Sequence, residues 1–134
     1  MGVIAKNRNW FNFLASQGGS RPLAPTTDTT AGALTITAAM LETGLILRDP
    51  NGAARTDTTP TGTLIEGRFP RLRVDDYFVV YYVNTADAAE AITLAGGTDV
   101  TINNSGQTLG QNESAILLFR KTATNTFTVY IIGA

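Results

Sequence analysis

The sequence predicts an all-β chain, a jelly-roll-like antiparallel sandwich of about eight strands preceded by an extended N-terminal arm. Three observations carry this expectation. The run Tyr77–Val83 places seven aromatic or β-branched residues in succession, the residue types that pack best on a pleated surface. Further short apolar runs recur at intervals of roughly 8–12 residues, separated by Gly, Asn and Pro, the spacing of sandwich and barrel strands. Finally, about eight such strands can be counted, a number that suits a jelly-roll-like sandwich.

Residues 1–30 read as an arm and residues 31–134 as the sandwich domain. Gly18-Gly19-Ser20-Arg21-Pro22 and Pro25 to Thr30 have linker composition. Inside that polar arm stand Trp10, Phe11, Phe13 and Leu14, four large apolar residues in five positions. Aromatics are enriched where one surface anchors another, so this quartet suits docking on a neighbouring subunit or partner; a short first helix packed on its own domain, or insertion into a membrane surface, would use the same residues. Lys6, Arg8 and Arg21 are the charges of residues 1–27, and no acid precedes Asp28. From Asp28 onward seven basic residues face eleven acids, leaving residues 28–134 at −4. The arm is therefore suited to docking on an acidic surface through its own seven residues, the apolar quartet with Lys6, Arg8 and Arg21.

In the body, Leu34–Thr37 alternates as a half-buried strand, and Thr37 is placed to cap a helical turn from Ala38 to Glu42 that Gly44 closes. Leu45–Arg48 is the next strand. Asp49-Pro50-Asn51-Gly52 is a turn, and Ala53–Asp57 is expected to return as the partner strand of a hairpin. Pro60 opens a second short helix ending at Gly67. The central strand follows, then strands at Ala91–Leu94 and Val100–Ile102, a weak edge at Thr108-Leu109, a strong strand at Ser114–Lys121 and a last one at Phe127–Ile132.

Successive strand side chains point to opposite faces, so the central strand is apolar on both: Tyr77, Val79, Tyr81 and Val83 on one side, Phe78, Val80 and Tyr82 on the other. A sandwich needs only one such face. The surplus must be covered by another subunit, a folded-back arm or a partner protein. Phe78 or Tyr82, whichever lies outside the core, is the expected interface residue. Arg48 and Arg55, which with Asp49 and Asp57 flank the 49–52 turn, form either a local salt-bridge lock or a subunit contact.

Composition removes several chemistries. The chain has no cysteine and no histidine. Disulfides, thiolate catalysis, Cys/His metal clusters and Ser-His-Asp triads are therefore excluded. The missing cysteines fit synthesis in a reducing cytoplasm. No apolar run approaches the ~20 residues of a membrane span, and the block at Trp10–Ala15 is too short and too interrupted for a signal sequence. Asp75-Asp76 is a carboxylate pair, but neighbours on a strand diverge, and the segment offers too few oxygens for calcium. Arg68, Arg71 and Arg73 surround Phe69 in a pattern compatible with nucleic acid, yet Glu66, Asp75 and Asp76 cancel most of their field. No cofactor, metal site, nucleic-acid partner or enzymatic activity is expected. Asn103 to Thr108 and Gln111-Asn112 are polar loop tips of the kind a carbohydrate site uses.

From Leu34 to Tyr130 the motif order resembles a known family. It runs Ile36-Thr37-Ala38-Ala39-Met40-Leu41, then Gly44 to Pro60 with Arg48-Asp49-Pro50-Asn51-Gly52-Ala53-Ala54-Arg55-Thr56-Asp57 as its most specific part. The central strand ending Val83-Asn84-Thr85, Ile92 to Gly97, Val100-Thr101-Ile102 and Thr128-Val129-Tyr130 complete it. This is similar to the small β-sandwich capsid decoration (cement) proteins of tailed bacteriophages. The resemblance implies a structural virion protein on the outer surface of the head, made in the host cytoplasm, that binds the major capsid protein and stiffens the shell. It also implies a homo-oligomer, a trimer before a dimer. The central strand departs from the family's more frequent polar/apolar alternation. From another class, a receptor- or carbohydrate-binding module of a tail fibre or adhesin is the alternative.

Overall fold

A computed structural model of the chain describes residues 23–134. Lys6, Arg8, Trp10, Phe11, Phe13, Leu14 and Arg21, the residues expected to contact a capsid, lie outside the described residues. In chain order the elements are β1 (Thr26–Asp28), α1 (Ala38–Thr43), β2 (Leu45–Arg48), β3 (Arg55–Thr58), α2 (Gly62–Arg68), β4 (Tyr77–Asn84), β5 (Ile92–Ala95), β6 (Val100–Ile102), β7 (Thr108–Leu109), β8 (Ser114–Ala123) and β9 (Thr126–Ile132).

The strands form two sheets. One has six strands in the order β1-β2-β4-β8-β9-β6, and the other three in the order β3-β5-β7. Buried side chains from both sheets and both helices join in one core, among them Ile46, Ile65, Val80, Tyr82, Ile92, Leu109, Leu117, Phe119, Phe127 and Val129. Phe78 stacks between Phe69 and Phe119, with ring centroids 4.4 and 5.1 Å away. Both spacings lie in the favourable aromatic range or at its near edge.

Three expectations need correction. The sheets are mixed rather than antiparallel: β1/β2, β2/β4, β3/β5 and β6/β9 are parallel, and only β4/β8, β5/β7 and β8/β9 are antiparallel. Parallel neighbours need crossover connections, and the helical segments α1 and α2 lie within the loops that supply them. Second, β2 and β3 are not a hairpin. The turn between them is sound, with Asn51 and Gly52 at φ of 51° and 110° and the Asn51 N–H donating to Asp49 Oδ1 at 2.8 Å. It hands the chain from one sheet to the other, where β3 pairs with β5. Third, β1 belongs to the six-stranded sheet, so the body begins before residue 31. Its polar Thr-Thr-Asp composition reads as linker because an edge strand of three residues has little to bury.

The helices follow their caps. Thr37 Oγ1 accepts from the Met40 N–H at 3.2 Å, and Gly44 ends α1 at φ 74°. Thr61 caps α2 in the same manner, accepting from the Leu64 N–H at 3.3 Å. Gly62, an unfavourable helix residue on propensity alone, is required by close approach. A Cβ there would stand 1.8 Å from the carbonyl oxygen of Asn125.

Candidate functional site

The strand β4 sorts the sheet into two surfaces. Its residues alternate without a break: Phe78, Val80, Tyr82 and Asn84 are buried, whereas Tyr77, Val79, Tyr81 and Val83 are exposed or half-buried. The inward set lies in the core and the outward set faces away from it. Phe78 and Tyr82, the expected interface residues, are therefore interior and cannot meet another chain. Of the β4 residues, only Tyr77, Val79, Tyr81 and Val83 face away from the core.

The inner side holds a buried charge cluster. Arg48 and Asp57 have fully buried side chains. Arg48 Nε donates to Asp57 Oδ2 at 2.9 Å, and Nη2 to Asp57 Oδ1 at 3.3 Å and to the Gly32 carbonyl at 2.5 Å. Nη1 donates to the carbonyls of Thr30 and Asp49 at 2.8 and 2.7 Å, with Asp28 Oδ1 3.4 Å away. All five guanidinium N–H groups thus have acceptors. Asp57 is equally occupied, receiving the Leu34 N–H at 2.9 Å and the Tyr82 hydroxyl at 2.6 Å. Burial works against the charged form of Arg48, but the hydrogen bond and charge of Asp57 outweigh it and leave its pKa raised. Burial, then the Asp57 charge, push the Tyr82 hydroxyl well above its ordinary value of 10.0. The hydroxyl therefore stays protonated and serves as a donor. With every polar atom paired, this cluster has no free valence for a ligand; it fastens residues 28–34 to both sheets. Arg48 is a lock rather than a subunit contact. Arg55 stays outside it: half-buried, with its Nε lacking a hydrogen-bond partner.

The other charged candidates are also engaged locally. Asp75 Oδ1 pairs with Arg120 Nη2 at 2.6 Å, and Asp76 Oδ2 receives the Arg73 backbone N–H at 2.8 Å. The hydrogen bond with Asp75 is the main cause of the raised Arg120 pKa. Lys121 reaches Glu66 at 2.5 Å and the Leu72 carbonyl at 3.1 Å. The hydrogen bond with Lys121 is the first cause of a lowered Glu66 pKa. Arg68 pairs with Glu42. In the polar loops, Asn104 is spent on the chain itself, donating to the Ile131 carbonyl and accepting the Ile131 N–H at 2.9 and 3.0 Å. Among the described residues no group of three or more acids could hold a metal ion.

The outer face of the six-stranded sheet is different. Leu45 of β2, Tyr81 of β4, Ile116 of β8 and Ile132 of β9 lie opposite one another in turn. Beside them runs the row Val79, Leu118 and Tyr130, and on the other side the row Leu47 and Val83. Tyr77, Tyr81 and Ile132 are 62, 50 and 46% exposed, and the others are half-buried by their neighbours. Arg120 stands at the border of this surface with its charge tied to Asp75, and Thr27, Ser114 and Thr128 complete the margin. The result is a continuous, uncharged apolar surface across four strands. Contiguous apolar patches of that kind on a folded surface mark places where something docks. The sequence revealed its central stripe but not its width, because the contributions of β2, β8 and β9 emerge only from register.

No family model matches the sequence, and no curated protein or solved structure is significantly similar to it.

Proposed function

We propose that this chain is a non-enzymatic structural protein of a virus particle, a decoration protein that binds the major capsid protein on the outside of a phage head and stabilises the shell as a homo-oligomer. One observation carries the reading: the uncharged outer face of the six-stranded sheet, centred on Val79 and Tyr81 and extending to Leu45, Ile116, Leu118 and Ile132. Such a face serves assembly with neighbouring copies and with the shell. The charge clusters support the same reading, since their groups are used to hold this chain together. The two sheets around one core are read as the facing layers of a sandwich, the architecture that the motif resemblance implies, although with mixed strand directions.

The experiment is co-expression of this chain with the phage's major capsid protein, followed by cryo-EM of the resulting particles. Density for the two-sheet body on the outer surface of the shell, in more than one copy per site, is the expected result. Bare shells at saturating concentrations of the chain would refute the proposal.

A further inference from the structure

We infer that Asn51-Gly52 is a latent deamidation site, and that Glu90 together with the Thr29 carbonyl keeps it closed in the folded chain.

The sequence has one Asn-Gly pair, and the turn that hands the chain from one sheet to the other requires it. Both residues hold positive φ, 51° and 110°, a region that glycine and asparagine enter at least cost. A Cβ at Gly52 would meet nothing within 4 Å, so the backbone angle rather than space demands the glycine. The same pair is open to attack on itself, because no side chain shields the Gly52 nitrogen. In that reaction the Gly52 nitrogen bonds to Asn51 Cγ and gives up its proton, and Nδ2 takes up a proton and leaves as ammonia. Water then opens the cyclic imide to aspartate or isoaspartate. One water is consumed and one ammonia released.

The fold opposes each part of this reaction. The Gly52 N–H donates to Glu90 Oε1 at 2.7 Å. Glu90 is 8% exposed, and its other oxygen, Oε2, is buried without a hydrogen-bond partner. The carboxylate charge therefore lies beside the nitrogen on which negative charge must develop, and like charges at such range oppose one another. Asn51 Nδ2, the leaving group, donates to the Thr29 carbonyl at 3.1 Å, and the Asn51 N–H donates to Asp49 Oδ1 at 2.8 Å. Cγ can turn onto the Gly52 nitrogen only after the Thr29 bond breaks. Damage here would not stay local. Arg48 Nη1 donates to the Asp49 carbonyl and Asn84 Nδ2 to the Glu90 carbonyl, both at 2.7 Å. An isoaspartate at position 51 would lengthen the backbone between these anchors and add a negative charge next to Asp49.

Trypsin cuts after Arg48 and Arg55 and releases Asp49–Arg55, in which Asn51 is the only side-chain amide. Mass spectrometry of that peptide, with an isoaspartate assay, therefore reads the site in the full-length protein after incubation in mildly alkaline buffer. Folded wild-type protein should deamidate at Asn51 roughly tenfold or more slowly than the same chain unfolded in urea, the kinetic equivalent of one hydrogen bond to a charged group. Glu90→Gln, which keeps the shape and removes the charge, should react several-fold faster than wild type while its far-ultraviolet dichroism stays native, and Glu90→Ala faster still. In wild-type protein the Gly52 N–H should also be protected from hydrogen exchange, a measurement that stands even if both variants fail to fold. Equal rates for the folded and unfolded wild-type chain overturn the inference, as does exchange of the Gly52 N–H at the rate of a free peptide. Slow deamidation that survives both substitutions in folded protein also overturns it, by taking the restraint away from Glu90.

Discussion

The two faces of β4 are built from the same residue types and do opposite things. Phe78, Val80 and Tyr82 turn inward, where Phe119 and Phe69 stack on one end and Asp57 receives the Tyr82 hydroxyl at the other. Tyr77, Val79, Tyr81 and Val83 turn outward onto a sheet whose neighbouring strands add only more apolar side chains. The inner face contributes to stability because each polar atom it buries is matched; the outer face contributes little to the folded monomer because nothing among the described residues covers it. The comparison teaches that hydrophobicity alone does not tell a core face from an outward one. Partnered polar atoms do.

The largest effect should come from breaking the inner lock. Arg48→Met leaves the Asp57 carboxylate buried without its counter-charge and leaves the Thr30, Gly32 and Asp49 carbonyls without their donors. Loss of one partner of a buried ion pair costs about 3–5 kcal/mol. A urea denaturation midpoint lowered accordingly, at unchanged slope, is the expected result. A smaller loss is expected from Tyr82→Phe, which keeps the ring in the core but removes one hydrogen bond to a charged acceptor, about 1.5–3 kcal/mol. Thermal and urea unfolding should both register it.

Outside the Arg48–Asp57 cluster, Glu66 sharpens the contrast through pH. Its folded-state pKa is lowered from an ordinary value of 4.5, first by the hydrogen bond from Lys121 and then by the Asn125 N–H. A carboxylate of lowered pKa contributes stability that is present above its unfolded value and disappears as pH falls through the folded value. Glu66→Gln should therefore destabilise the protein at neutral pH, and the difference from wild type should shrink as the pH drops below 4.5. A difference that stays constant with pH would mean that the charge of Glu66 is not what matters.

Much of this architecture is legible in the sequence, for physical reasons that differ by element. The strands at Leu45, Tyr77, Ser114 and Phe127 announce themselves because they are long or dense in β-formers, and α1 does so because Thr37 and Gly44 mark both its ends. The pairing of Arg48 with Asp57 was readable as a lock around the 49–52 turn. Its true form, a bridge between two sheets that also draws in Tyr82, was not, because it depends on β3 pairing with β5 across a long separation. A buried tyrosine needs a partner for its hydroxyl, and that rule was the available signal for Tyr82. Which side of β4 faces outward was likewise unreadable, since both sides are apolar; only Asn84, buried and donating to the Glu90 and Leu109 carbonyls, breaks the symmetry. Strand direction left no mark in composition at all.

The smallest effect on stability and the largest on function should come from the outer face. Tyr81 is half-exposed in the described structure, so Tyr81→Glu should change the unfolding free energy by no more than about 0.5 kcal/mol, as surface substitutions ordinarily do. The most direct measurement is co-sedimentation of wild-type protein and Tyr81→Glu with shells of the phage's major capsid protein, at matched concentration and with melting temperatures recorded in parallel. Wild-type protein that pellets with the shells, beside an equally stable variant that stays in the supernatant, is the result this account predicts. Equal binding by the two proteins would contradict it and move the working surface off this sheet.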